Sequence, residues 1–168
     1  GRLALQPACA KDMSLVITLD RADLQHRVER MFPITREGEL VTVELQHPQV
    51  ILTEHSDRIG LRLQVHAVAA RQFSVAGTTR VDGVLRFDNS MGEFYLDDAS
   101  VEELQIDDVD PVSLDQIRQI ADGVVRDLLQ ERPIYSLGQM GESTRVMGSE
   151  LKSVTVHNGK LIVELAMP

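Results

Sequence analysis

The sequence predicts an α+β fold: a curved antiparallel sheet with a long helix and a shorter N-terminal helix on one face, and a C-terminal hairpin. Three observations predict it. Residues 39–107 hold several runs in which apolar and polar residues alternate, which is typical of half-buried strands. Residues 111–131 show a long helical period, and residues 14–32 hold a strand and then a shorter helix. This order of elements places helices on one face of an antiparallel sheet.

A chain of 168 residues is normally one domain, and we divide it into an N-terminal extension, residues 1–13, and a single domain, residues 14–168. Its 17 Lys and Arg residues against 26 Asp and Glu residues give a net charge of -9, which repels phosphate backbones. Tryptophan is absent and aromatic residues make up 4%, so we expect no nucleic-acid partner. No stretch reaches the ~18 continuous apolar residues of a membrane span, so no transmembrane segment is predicted.

The first strand and helix are predicted from residues 14–32. The stretch SLVITLD alternates as a strand does. Asp20 is a suitable N-cap for the helix RADLQHRVERMF that follows, and Pro33 ends that helix. Helical spacing gathers four apolar side chains on one face: Leu24, Val28, Met31 and Phe32.

Alternating strands fill the middle and the end of the chain. Pro48 separates the first two of them. A slip in the apolar phase between Leu96 and Leu104 predicts a bulge or bend near Asp98 to Val101. Asn158 and Gly159 stand between two alternating runs and predict a C-terminal hairpin with a type I′ turn. The strands predicted in the middle of the chain span residues 39–46, 49–55, 59–69, 78–88 and 93–107.

The long helix is predicted from its apolar period. It begins at Pro111 or with Ser113 as its cap, and it ends before Pro133. Gly123 lies inside it, and a small residue there favours the close approach of a strand. Steps of three and four residues place eight apolar side chains on one face: Leu114, Ile117, Ile120, Ala121, Val124, Val125, Leu128 and Leu129.

No catalytic residue, metal site or cofactor is predicted. The acidic run from Asp97 to Asp110 lacks the glycine and the final glutamate of a calcium loop and is typical of a solvated strand. None of the five histidines has the helical spacing of a metalloprotease pair, and neither a nucleophile elbow nor a phosphate-binding loop is present. Cys9 is the only cysteine, so it can form no internal disulfide. We expect a protein that is not an enzyme.

Five stretches resemble one protein family. GEFYLDDASVEELQI, the long helix and ERPIYSLG together are similar to the YceB-like bacterial lipoproteins, an uncharacterised family of the cell envelope. ITLDRADLQHRVERMFP resembles that family's first strand and helix, and VTVHNGKLIVELA resembles its terminal hairpin. Pro133 and Tyr135, in the pattern P-x-Y-x-L, are the most distinctive matches. The resemblance covers the chain from Ser14 onward.

The resemblance implies a fold like half of a tubular lipid-binding protein, with a strongly bent antiparallel sheet wrapped around the long helix. It also implies export to the periplasm, in many members with a lipid anchor in the membrane, and it transfers no catalytic residue. The surroundings of Cys9 differ from a lipobox, because Gln6 occupies the position of the expected leucine and Pro7 follows it. Composition alone is compatible with a cytosolic protein as well as with a mature exported one.

Two functions follow as hypotheses. The first is a non-enzymatic bacterial envelope protein that binds a lipid, a fatty acid or another apolar ligand in a cleft between the long helix and the bent sheet. The apolar faces of the two helices supply its candidate ligand-binding residues: Leu24, Val28, Phe32, Ile117, Ile120, Val124 and Leu128. The second is a protein–protein interaction module of the envelope with a filled core and no ligand. Its binding surface would be an exposed strand edge or the acidic strand from Asp97 to Asp110.

Overall fold

A computed structural model describes residues 2–9, 12–69, 73–137 and 148–167, which form ten strands and two helices. The helices are α1 (Arg21–Glu29) and α2 (Pro111–Glu131). The strands are β1 (Arg2–Cys9), β2 (Asp12–Asp20), β3 (Ile34–Glu37), β4 (Val41–Leu52), β5 (Arg58–Ala69), β6 (Phe73–Asp88), β7 (Glu93–Ile106), β8 (Tyr135–Ser136), β9 (Glu150–His157) and β10 (Lys160–Ala166).

The strands divide between two sheets. One has the order β1-β2-β10-β9 and the other the order β3-β4-β5-β6-β7-β8, and the pairs are antiparallel. The predicted α+β fold is therefore wrong. The described part of the chain is mostly β, and no long helix in it is wrapped by a bent sheet.

Segments that the sequence pattern assigned to loops account for much of this difference. β3 and β8 have 4 and 2 residues, which is too short for an alternating pattern to be recognised. β6 begins at Phe73 rather than at Thr78, and β4 continues through Pro48 instead of ending there. The C-terminal hairpin of β9 and β10 pairs with β2, which starts a second sheet. β1, in residues 1–13, pairs with the other side of β2.

One hydrophobic core joins both sheets and both helices. α1 contacts β4 and β2, and α2 contacts β7 and β4. Two hydrogen bonds of the β4–β5 turn also connect the sheets: the N–H of His55 donates to the carbonyl of Val156 (2.9 Å), and Oε1 of Glu54 accepts from the N–H of Asn158 (2.9 Å). On α2 the inward face is formed by buried residues, namely Ile117, Ala121, Val124, Val125 and Leu129.

The local strand predictions are largely confirmed. In β5 the apolar residues Leu61, Leu63, Val65 and Ala67 are buried, and the polar residues between them are exposed. The predicted bulge lies in β7, where Asp98 has a φ of 52° and the register against β6 shifts twice. The predicted hairpin turn is also present, with φ values of 54° at Asn158 and 74° at Gly159.

The helix predictions are confirmed in type and corrected in detail. α1 follows Asp20 but ends at Glu29, three residues before the predicted end. α2 begins at Pro111, and its cap is Asp110, which accepts a hydrogen bond from the N–H of Ser113 (2.9 Å). A Cβ added to Gly123 would meet nothing within 4 Å, so the expected close approach of a strand is wrong.

Candidate functional site

A surface pocket lies between the C-terminal end of α1 and the middle of β4. Its volume is about 400 Å³, within the ~300–1,000 Å³ of many small-molecule sites. Phe32 and Pro48 are buried and form its floor, whereas Glu29, Pro33 and His47 are exposed at its rim. The sixth lining residue is Gln46. The pocket therefore combines apolar rings with a polar rim, which suits a mainly apolar ligand.

A β-bulge in β4 shapes one wall of the pocket. The pairing of β4 with β5 is interrupted after Gln46 and resumes at Gln49, so that His47 and Pro48 together face Leu63. A bulge bends its strand and turns the bulged side chains to a new direction. It is also a position where a strand tolerates proline, which has no N–H to donate. His47 has a φ of 53°, a conformation that costs a non-glycine residue on the order of 1–3 kcal/mol.

Polar side chains of α1 hold the helix on the edge of β4. Gln25 donates from Nε2 to the carbonyl of Pro48 (2.7 Å) and accepts at Oε1 from the N–H of Val50 (2.7 Å). Arg21 donates from Nε to the carbonyl of Val50 (2.8 Å). β3 pairs with β4 only before the bulge, so these bonds satisfy backbone groups that β3 does not reach. Gln25 also donates to Oε1 of Glu29 (2.8 Å), which positions one side chain of the pocket rim.

The structure places the predicted binding residues in two settings. Phe32, 9% exposed, lines the pocket. Ile120 and Leu128 are half-buried and pack against the core. The remaining residues are buried within the core itself: Leu24, Val28, Ile117 and Val124. Contact between these six residues and a ligand stays a prediction.

The sequence pattern missed most of the pocket. Gln46, His47 and Pro48 were assigned to the end of one strand and a break, so the wall that they form was not recognised. One signal in the sequence could have indicated this wall. The alternation of apolar residues continues on both sides of Pro48, and a proline in such a position is compatible with a bulge as well as with a strand end. Glu29 and Pro33 reach the pocket because α1 ends close to them, and sequence patterns locate the end of a helix only to within a few residues.

The acidic run predicted as a solvated strand spans β7 and the N-cap of α2. Among the described residues, no group of three or more His, Cys, Asp or Glu side chains is placed to bind a metal ion. Hydrogen bonds from Ser113 hold the pKa of Asp110 below its ordinary value. Its carboxylate therefore serves the helix end, where it compensates free N–H groups. In the same part of the chain, no helix combines the length and the apolar character needed to cross a membrane.

Comparison with known proteins places the chain in a family. No curated protein matches it. A solved structure titled "Crystal structure of P47 of Clostridium botulinum E1" is similar at 9% sequence identity with a TM-score of 0.40, over 99% of this chain and 41% of that chain. This chain therefore spans less than half the length of that protein. A family model described as "Protein of unknown function (DUF1439)" matches residues 21–160. Because that match covers most of its length, the chain belongs to the DUF1439 family.

Proposed function

We propose that this protein is a non-enzymatic ligand-binding protein of the bacterial cell envelope, and that it holds a lipid, a fatty acid or another apolar molecule in the pocket between α1 and β4. The observation that carries the proposal is the pocket itself, with a volume of about 400 Å³ and a floor formed by Phe32 and Pro48. Its position differs from the helix–sheet cleft expected from the sequence, but it includes one of the predicted binding residues.

The chemistry of the lining supports an apolar ligand with a polar end. Phe32, Pro33 and Pro48 offer ring surfaces that gain free energy when a ligand removes water from them. Glu29, Gln46 and His47 surround these rings and can donate or accept hydrogen bonds at the ligand's polar end. A site of mostly apolar surface with a few polar groups is the usual pattern of a small-molecule pocket.

Substitution of Gln46 by tryptophan tests the pocket directly. The indole of Gln46→Trp would occupy the space, so we expect binding of the neutral fluorophore N-phenyl-1-naphthylamine to weaken by at least about tenfold, or ~1.4 kcal/mol. Gln49→Trp is the matched control, because Gln49 is an exposed glutamine of the same strand that does not line the pocket. Fluorescence titration of both variants and the wild-type protein measures the effect. Equal affinities in all three proteins, or no binding to any of them, would contradict the proposal.

The envelope location is a separate part of the proposal. It is supported by the resemblance of the chain from Ser14 onward to YceB-like lipoproteins. Fractionation of cells that produce the protein from its full coding sequence tests this location. We expect the protein in the periplasmic or membrane fraction, and recovery in the cytosolic fraction would refute this part without affecting the pocket.

A second candidate function is a protein–protein interaction module. Burial of Leu24, Val28, Ile117 and Val124 in a packed core favours it, because a filled core leaves the surface as the place of binding. Glu102 and Glu103 lie exposed on β7 in the acidic run and supply a charged surface.

Charge reversal tests this second candidate. We expect the double variant Glu102→Lys/Glu103→Lys to lose partners that the wild-type protein captures from envelope extracts. The control Glu37→Lys/Glu39→Lys carries the same charge change at two exposed glutamates next to the β3–β4 turn. Unchanged capture by the Glu102/Glu103 variant would eliminate the acidic strand as the binding surface.

A further inference from the structure

Three arginines meet at a second pocket, between the C-terminal ends of the two helices. This arginine pocket has a volume of about 220 Å³ and is lined by Arg27, Arg30, Met31, Arg132 and Pro133. Arg27 lies in the last turn of α1, Arg30 is its C-cap and Arg132 is the C-cap of α2. The arginines therefore come from two elements that are distant in sequence and are brought together by the fold.

None of the three arginines takes part in an ion pair found within the described part of the chain. Nη2 of Arg30 lies 3.0 Å from Nε2 of His26, and the guanidinium of Arg27 lies 5.8 Å from the ring centroid of Tyr135. Both contacts orient a guanidinium group without neutralising its charge.

The whole protein carries the opposite charge, which makes this cluster unusual. With a net charge of -9, most of the surface repels anions, whereas three cations gather here. The negative end of a helix dipole explains one cation at each helix end. The helix dipole does not explain why three arginines line one pocket, where their charges repel each other. Burial and the charges of Asp23 and Asp20 raise the pKa of the Tyr135 hydroxyl, whereas the charge of Arg27 lowers it, so charges of both signs act on the ring beside Arg27.

We propose that the arginine pocket binds a phosphate group. Guanidinium groups are planar and offer paired N–H donors that match phosphate oxygens, so three of them can surround one phosphate dianion. A volume of about 220 Å³ admits such a group but not a whole lipid. The ligand is therefore a phosphate monoester, either the headgroup of an anionic lipid or a soluble compound. The proposal does not depend on the apolar pocket, because the two pockets share no lining residue.

Thermal unfolding in the presence of inorganic phosphate tests the site. At constant ionic strength we expect phosphate to raise the unfolding temperature of the wild-type protein. Arg30→Gln and Arg132→Gln should each weaken phosphate binding by about tenfold, the usual effect of losing a hydrogen bond between two charged groups. Both side chains are exposed, so these variants should fold as the wild type does, which circular dichroism checks. Arg118→Gln is the control, with the same change of charge at another exposed arginine of α2.

Vesicle flotation distinguishes the two sources of phosphate. Binding to vesicles of phosphatidic acid and phosphatidylcholine, lost in Arg30→Gln and Arg132→Gln but kept in Arg118→Gln, supports the site and assigns it a lipid headgroup. Stabilisation by inorganic phosphate without vesicle binding supports the site and assigns it a soluble phosphate compound. No response to phosphate or to vesicles would overturn the proposal, and so would an equal loss in Arg118→Gln. The neutral fluorophore reports on the apolar pocket, so failure of either proposal is visible separately.

Discussion

Two glycines, one in a helix and one in a strand, differ in whether they tolerate a larger side chain. A methyl group added at Gly123 of α2 would meet nothing within 4 Å, whereas one added at Gly77 of β6 would overlap the carbonyl oxygen of Gln105. Both glycines lie inside a regular element, so the sequence alone does not distinguish them. The packing does: Gly77 is required because the neighbouring strand lies so close, whereas Gly123 only weakens its helix.

We predict that Gly123→Ala stabilises the protein by roughly 0.5–1 kcal/mol, because alanine restricts the unfolded chain and favours the helix without a steric cost. Gly77→Ala should destabilise it by about 1–3 kcal/mol, because the strand pair must move apart. Urea unfolding of both variants measures the two free energies. A destabilised Gly123→Ala variant would contradict the packing described for α2.

A second prediction at this scale concerns the cap of α2. The pKa of Asp110 is lowered in the folded protein by the hydrogen bonds from Ser113, so its contribution to stability is fully present above the pKa of an unfolded aspartate. This contribution is lost as the pH falls through the lowered pKa of Asp110 in the folded protein. We therefore expect Asp110→Ala to lower the unfolding temperature at pH 7, and the difference from wild type to shrink as the pH falls below about 4. A difference that persists unchanged at low pH would show that the carboxylate charge does not stabilise the helix end.

At the scale of elements, short helices and strands depend on their neighbours. α1 has 9 residues, fewer than an isolated helix needs in water, so its attachment to β4 and the core stabilises it. The sequence predicted its start and the buried positions of Leu24 and Val28, because periodicity is a local signal, whereas Asp20 forms no side-chain cap hydrogen bond and Met31 and Phe32 lie beyond the helix. It could not predict that Gln25 would bond to the backbone of β4, because that contact depends on two segments separated by 23 and 25 residues.

We predict that Gln25→Ala destabilises the protein by about 1–3 kcal/mol, since it leaves the carbonyl of Pro48 and the N–H of Val50 without these partners. Gln119→Ala is a suitable control, because Gln119 is an exposed glutamine of α2 whose side chain donates to Asp115 of the same helix. Its change should stay within about 0.5 kcal/mol. Chemical unfolding of the two variants compares them, and equal small effects would show that Gln25 does not anchor α1.

For the whole molecule, the sequence predicted single elements better than their assembly. Alternating apolar residues predicted the middle strands, and the helical period predicted both helices, but neither pattern predicts which strands pair. The pairing of β2 with β10 joins the two ends of the domain, and it creates the second sheet that the predicted fold lacked. The candidate site was likewise predicted only where it depends on local sequence. Phe32 was predicted from its helix face, whereas Gln46 and His47 enter the pocket through a bulge whose position depends on the partner strand.

The proposed function requires an apolar molecule to bind between the end of α1 and the bulge of β4. Titration of the ¹⁵N-labelled protein with N-phenyl-1-naphthylamine, followed by two-dimensional amide NMR spectra, locates the binding site residue by residue. We predict the largest shifts at the amides of Phe32, Gln46 and His47, which lie along the pocket. Spectra in which these three signals do not move, or in which the shifts cluster on another surface, would contradict the claim.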